Sequence, residues 1–306
     1  MNSERWCGKF REHLEVLNYS GATVYGYGLE VRLFCEFLAE RGVMQPTEIR
    51  REDVTSYQLL IHQSRKPDGK LLASATRSSK IGAVLAFLRY LYEQGFILAD
   101  PGRHVKRPRI PDSLPPDVPD EEQVLALLEQ PQTSRPQGRR DRAILELLYA
   151  SALRNAEVRA LNIEDVDLHR LEVVVKCGKG GKGRRVPLSE PAAVWLEEYL
   201  VEGRPALERE YSGEVLFLNA WGRPLKGETL CEIVRRHAEA AELPMKVTPH
   251  VLRHACATHM LARQAGLRHL QRFLGHANSS STERYTRVEV SDLREVMMRC
   301  HPRESC

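Results

Sequence analysis

"TPHVLRHACATH", residues Thr248 to His259, sets three histidines and one arginine within twelve positions. Thr248 can cap a helix, and Pro249 takes the first helical position, where a missing N–H costs little. On that helix His250 and Arg253 are three apart and His250 and His254 four apart, so either pair shares a face. The segment admits three readings: a metal pair, an anion clamp, or the polar side of an ordinary helix. The surrounding chain has to choose.

His250 and His254 match only the outer residues of H-E-x-x-H, because Val251 stands where that motif needs a general base. A third ligand would have to come from His259, His269 or His276, so the spacing alone leaves zinc open. The cysteines at 7, 35, 177, 231, 256, 300 and 306 include no close C-x-x-C pair. They imply neither a disulfide framework nor a zinc ribbon, and they fit a reducing, cytoplasmic setting. "GKGGKG" at 178–183 looks superficially like a P-loop. It continues as Arg184 and Arg185 into a strand, not as Lys-Ser/Thr into a helix, so it does not indicate nucleotide binding.

A chain of 306 residues with 42% apolar content is expected to form two domains with true hydrophobic cores. The opening "MNSERWCGKF" lacks the apolar run of a signal peptide, and no stretch approaches the roughly 18 apolar residues of a membrane span. No membrane partner is expected. The net charge of +4 is mild, but its distribution is uneven. Five basic residues and no acid lie between Lys176 and Arg185. Nine Lys or Arg stand against Glu239, Glu242 and Glu283 between Arg235 and Arg287. Clustering of this kind points to a polyanionic partner.

Residues 1–100 read as helices. "LEVRLFCEFLAERG" places Leu29, Leu33, Phe34, Phe37 and Leu38 on one stripe and stops at Gly42. "SATRSSKIGAVLAFLRYLYEQG" repeats the pattern through Ile81, Val84, Leu85, Leu88 and Leu91. Arg77 and Lys80 lie off that stripe, near the helix start, within reach of a phosphate. Residues 101–119 contain six prolines together with Lys106, Arg107 and Arg109, which predicts a basic linker able to lie along a nucleic acid. From 120 onward Asp120 and Gln123 mark a helix start, and Ile144, Leu147 and Leu148 mark a second helix. "LEVVVKCGKGGKGRRVPL" predicts a strand hairpin with Lys179 and Lys182 at its tip and Arg184 just beyond. Further helices are expected near 189–203 and 227–241, and Gly275 should end the one before His276.

Four segments, "ALRNAEV", "GKGGKGRRVPL", "HVLRHACATHML" and "LGHANSSSTERYTRV", occur in the order and spacing of the tyrosine recombinase (phage integrase) family, which the chain resembles over about residues 120–290. The tail "DLREVMMRCHPRE" resembles the ending of Xer-type members. Ala152 stands where glycine is commoner before Leu-Arg. Carried over by position, the resemblance implies catalytic Arg154, Lys179, His250, Arg253 and His276, the nucleophile Tyr285, and Glu157 in support of the first arginine. It implies no metal and no cofactor.

The implied fold is mainly α with a small antiparallel sheet in the catalytic domain, arranged as a two-domain, C-shaped clamp on DNA. Its parts would be a helical core-binding (SAM-like) domain at 1–100, the linker at 101–119, and the catalytic domain with its tail at 120–306. The implied activity is site-specific cleavage and rejoining of double-stranded DNA through a 3′-phosphotyrosine, without metal or ATP. A homotetramer would act on two sites, with room for a second recombinase or host factor, in the cytoplasm at the nucleoid. Arg77, Lys80, Lys106, Arg107, Lys182 and Arg184 are the expected DNA contacts. Leu293, Val296 and Met297 in the tail are expected to dock on a neighbouring subunit. The rival readings are a relaxing type IB topoisomerase and a DNA-binding protein with an inactive site.

Overall fold

The computed structural model describes residues 3–111, 117–176, 183–275 and 290–304. It divides into two compact units, Met1–Leu114 and Pro115–Cys306, each with its own hydrophobic core. Among the described residues no helix is long and apolar enough to cross a membrane.

The first unit contains α1 (Ser3–Val16), α2 (Gly21–Glu40), α3 (Arg51–Gln63) and α4 (Ser74–Glu93). Ser20 caps α2 by accepting the N–H of Thr23, and Gly42 follows the helix at φ +80°. The stripe read from the sequence is rotated. Val31, Phe34, Cys35 and Leu38 are buried, whereas Leu29 and Leu33 are 38% and 39% exposed. The inward face also carries Gly28, over which the Arg11 side chain lies, and Glu30, which accepts the Tyr57 hydroxyl at 2.8 Å and pairs with Lys80. On α4, Ile81, Val84, Leu88 and Leu91 are buried as their spacing predicts, joined by Phe87.

Residues 101–111 are not an open linker. Gly102 is buried, Gln58 donates to the Lys106 carbonyl at 2.9 Å, and Arg107 donates twice to the Ser78 carbonyl at 3.2 and 3.1 Å. These bonds fasten the segment to α3 and α4. Proline fixes φ and removes donors, but it does not prevent its neighbours from packing.

The second unit opens with α5 (Glu121–Glu129). The capping box at its start has Asp120 accepting from Gln123 N at 2.8 Å and the Gln123 side chain accepting from Asp120 N at 3.0 Å. α6 (Pro136–Ser151) is buried without interruption from Ala143 to Ser151 and is the axis of this core. After α7 (Asn155–Arg159) come β1 (Val166–Asp167), β2 (Glu172–Val175) and β3 (Arg184–Pro187), an antiparallel sheet in the order β1-β2-β3 with Val173 opposite Val186. Strand β1 is too short to leave a sequence signal. α8 (Glu190–Glu198) does not stop at Gly203: it widens through a π turn at Tyr199–Gly203 into α9 (Arg204–Leu207). α10 (Gly227–Ala240), α11 (Pro249–Ala262), α12 (Leu267–Leu274) and α13 (Val290–Cys300) complete the unit.

The tail, expected to dock on a neighbour, packs here on its own chain. In α13, Leu293, Val296, Met297 and Cys300 are buried in the core of their own chain. Beyond it Arg303 donates to the fully buried Glu146 at 2.8 and 3.1 Å, and Glu304 accepts the N–H of Glu190. Glu146, already bonded to Arg142, is a buried carboxylate on α6 that needs this second cation.

Candidate active site

The end of α6 shapes the first half of the site. Ala152 adopts a left-handed conformation there, φ +47° and ψ +35°, fully buried. A Cβ makes this region costly by about 1–2 kcal/mol, which is the physical reason glycine suits the position. The reversal leads into Arg154, the N-cap of α7. Its N–H bonds one Glu157 oxygen at 2.8 Å, and its guanidinium bonds the other at 2.8 Å. A second guanidinium nitrogen donates to the Gly275 carbonyl at 3.0 Å.

Arg253 comes from the buried side of α11 and is 5% exposed. It donates to the carbonyls of Ala152 and Leu274, at 2.5 Å each. Both oxygens lie at helix C-termini, where they lack intrahelical partners and carry negative dipole. Burial first, and the neighbouring charge of Arg154 second, lower its pKa to about 10, so it remains cationic at neutral pH.

The third cation was expected on DNA. Along β3, Arg184 shares a face with the buried Val186, while Arg185 points to solvent. Arg184 therefore turns inward and grips both Glu157 oxygens, at 2.8 and 2.9 Å. Sequence reasoning missed this role, although the alternation carried the signal. Gly275, at φ +62°, has a second reason to be glycine: a Cβ would lie 2.8 Å from the Arg184 Nε. Glu157 is 5% exposed. Burial alone would raise its pKa, but the hydrogen bonds from Arg184 and the Arg154 N–H, with both positive charges, hold it at about 2.

His250 is exposed on the first turn of α11, its ring 6.5 Å from that of the half-buried His254. His259 is buried and meets the Tyr149 hydroxyl at 2.9 Å, which gives it a structural task. Lys179, Lys182, His276 and Tyr285 lie outside the described residues. In the first unit Lys80 is paired with Glu30 at 2.5 Å, Arg77 bonds His62 and Ser74, Arg107 bonds the Ser78 carbonyl, and Lys106 is exposed. Structure thus brings together Arg154 and Glu157 of α7, Arg184 of β3 and Arg253 of α11, three separate segments. A groove of about 850 Å³, lined in part by Asn155, Arg159, Cys231 and Thr248, opens beside them.

Each of Arg154 and Arg253 commits two of its five N–H donors to these fixed acceptors. The remaining donors form a preorganised fork, suited to the oxygens of a phosphate and costing no rearrangement when charge develops there.

Comparison with known proteins agrees with this chemistry. The phage integrase family matches residues 118–291. Tyrosine recombinase XerC 2 of Ralstonia nicotianae is 37% identical over 294 residues, covering 95% of this chain and 84% of that protein. Tyrosine recombinase XerD of Listeria monocytogenes is 35% identical over 286 residues, covering 93% and 94%. The Tn1549 transposon integrase, solved in complex with transposon right end DNA, shares the fold at a TM-score of 0.71 and 18% identity, over 98% of this chain and 99% of that one. A match spanning most of the second unit, with relatives aligned along nearly the whole length, means that the chain belongs to the phage integrase family, among the tyrosine recombinases.

Proposed function

We propose that this protein cleaves and rejoins double-stranded DNA at specific sites, using Tyr285 as the nucleophile and a 3′-phosphotyrosine as the intermediate. The observation that carries the reading is the clamp of Arg154 and Arg253, fastened to helix-end carbonyls and steadied by Glu157 and Arg184.

A phosphodiester is anionic, and its pentacoordinate transition state gathers further charge on the equatorial oxygens. The two guanidinium groups meet that charge. Tyrosine's ordinary pKa near 10 leaves about one phenol in a thousand ionised at pH 7, a penalty of roughly 4 kcal/mol. The surrounding cations lower it, and exposed His250 takes or shares the phenolic proton. Lys179 protonates the departing 5′ oxygen, and His276 donates to the scissile phosphate. The phosphotyrosine retains the energy of the broken bond, so another 5′ hydroxyl restores the backbone without ATP.

Chain length supports attack within one protomer. Tyr285 is five residues from Val290, whose helix is packed in this chain's own core. Five residues span at most about 17 Å. The first unit, with Lys106 and its other basic residues, holds the flanking duplex. Four protomers assemble on two sites, with a second recombinase or host factor where the pathway uses one, at the nucleoid.

A nicked suicide duplex should yield a covalent protein–DNA adduct that survives denaturant with wild-type protein and is lost in Tyr285→Phe. No adduct from the wild type on a site it protects from nuclease would favour an inactive DNA-binding protein. Relaxation of supercoils without any two-site product would favour the topoisomerase reading.

A further inference from the structure

The connection from α3 to α4 is a concentrated display of positive charge. Residues 62–80 carry Arg65, Lys66, Lys70, Arg77 and Lys80 against one acid, Asp68. Lys80 is committed to Glu30, and Arg77 is held by His62 and Ser74. The remaining cations lie on a closed hairpin.

Its base is the N–H of Leu72 on the Ser64 carbonyl, 3.2 Å, with Arg65 bridged to Leu71 above it. At the tip Lys66 N donates to Lys70 O at 2.8 Å, and Gly69 N donates to Lys66 O at 2.9 Å. Asp68 accepts the N–H of Lys70 at 3.0 Å, so its carboxylate serves the turn. The Arg65 guanidinium donates to the Gly69 carbonyl at 2.9 Å. Gly69 itself stands at φ +78°, which glycine adopts without strain. Lys66 and Lys70 are exposed and have no acidic partner among the described residues.

The tip carries two exposed lysines against the single carboxylate of Asp68, a net positive point that favours an anion. Its surroundings add to the field. Ala73 gives α4 no capping side chain, and the Arg77 Nε is buried without a hydrogen-bond partner. Lysine is a point charge with no fixed donor fork, and Pro67 and Gly69 offer nothing to a base edge. Such a tip reads charge, not sequence.

We propose that the Ser64–Leu72 hairpin is a sequence-independent contact to the backbone of duplex DNA, with Lys66 and Lys70 each meeting one phosphate. This rests on the DNA reading above and adds a contact separate from the catalytic cluster.

The test uses the full chain with the substitutions Lys66→Gln and Lys70→Gln combined, titrated against a labelled random-sequence duplex over a range of salt. Loss of two phosphate contacts should make the slope of log K against log salt shallower by about 2 and lower affinity by on the order of tenfold or more near 0.1 M salt. The pair Lys66→Arg and Lys70→Arg should keep the wild-type slope, which separates lost charge from lost folding. An unchanged slope and affinity in the Gln pair overturns the hairpin contact, as does an Arg pair as weak as the Gln pair. Adduct formation on the nicked duplex at saturating DNA is read in parallel. A wild-type adduct with an unaltered Gln-pair slope sinks the hairpin alone. A shallower slope with no wild-type adduct supports the hairpin and sinks the recombinase reading.

Discussion

Glu157 lies between two guanidinium groups that would otherwise face each other, and its carboxylate is held near pKa 2 against an ordinary 4.5. A carboxyl whose folded-state pKa is depressed adds stability above its unfolded value and loses it as pH falls toward the folded one. The window here is pH about 4.5 down to about 2, and the contribution is roughly 3 kcal/mol. Glu157→Gln should lose stability of that order at neutral pH and flatten the acid limb of a denaturation profile in that window. Adduct formation should fall by on the order of 100-fold, because Arg154 loses the partner that aims it. A variant with the wild-type acid limb would show that the carboxylate is not what binds the two arginines. At this scale part of the site was legible: helical spacing put His250 and Arg253 on one face, and the family resemblance implied Arg154 and Glu157. The carbonyls of Ala152, Leu274 and Gly275 were not, because any residue can supply a carbonyl and only the fold decides which ones converge.

Among elements, the capping box at Asp120 and Gln123 and the antiparallel pairing of β2 with β3 could be read directly, since their determinants are local. The α2 stripe could be read only in part. Phe34 and Leu38 are core as read, but Leu29 and Leu33 satisfy helical periodicity as well as Val31 and Cys35 do, and contact with α1 and α4 selects the second pair. α13 shows the same limit, since an apolar stripe states that it wants cover and not whose. Its anchor is also specific. His301 is fully buried, with Nε2 at 3.2 Å from the Tyr149 carbonyl and Nδ1 accepting the N–H of Arg303 at 3.1 Å. That arrangement requires the neutral Nε2–H tautomer, and burial lowers the pKa to about 4. Removal of residues from Ser291 onward should therefore act as a folding lesion. Uncovering the sites of Leu293, Val296 and Met297 forfeits about 1.5–3 kcal/mol each, a large share of ordinary domain stability. Thermal unfolding and single-site DNA binding should deteriorate together. A truncated chain that melts like wild type and loses only two-site synapsis would restore the tail's role on a neighbour.

For the whole molecule, each unit closes its own core, and the basic, proline-rich stretch that follows α4 belongs in part to the first of them. The tail brings the chain back to α6, so the segment 276–289 is bracketed by two fixed posts. One is Gly275, whose carbonyl is held by Arg154, and the other is α13. This bracketing has a consequence for mixed populations. An equimolar mixture of Arg154→Gln and Tyr285→Phe proteins contains every group the chemistry needs, yet no polypeptide carries them all. Because both posts belong to the same chain, the proposed nucleophile is expected to serve its own arginines, and two dead alleles stay dead when combined. Covalent product reappearing in the mixture would mean that the hydroxyl crosses from one subunit to the next.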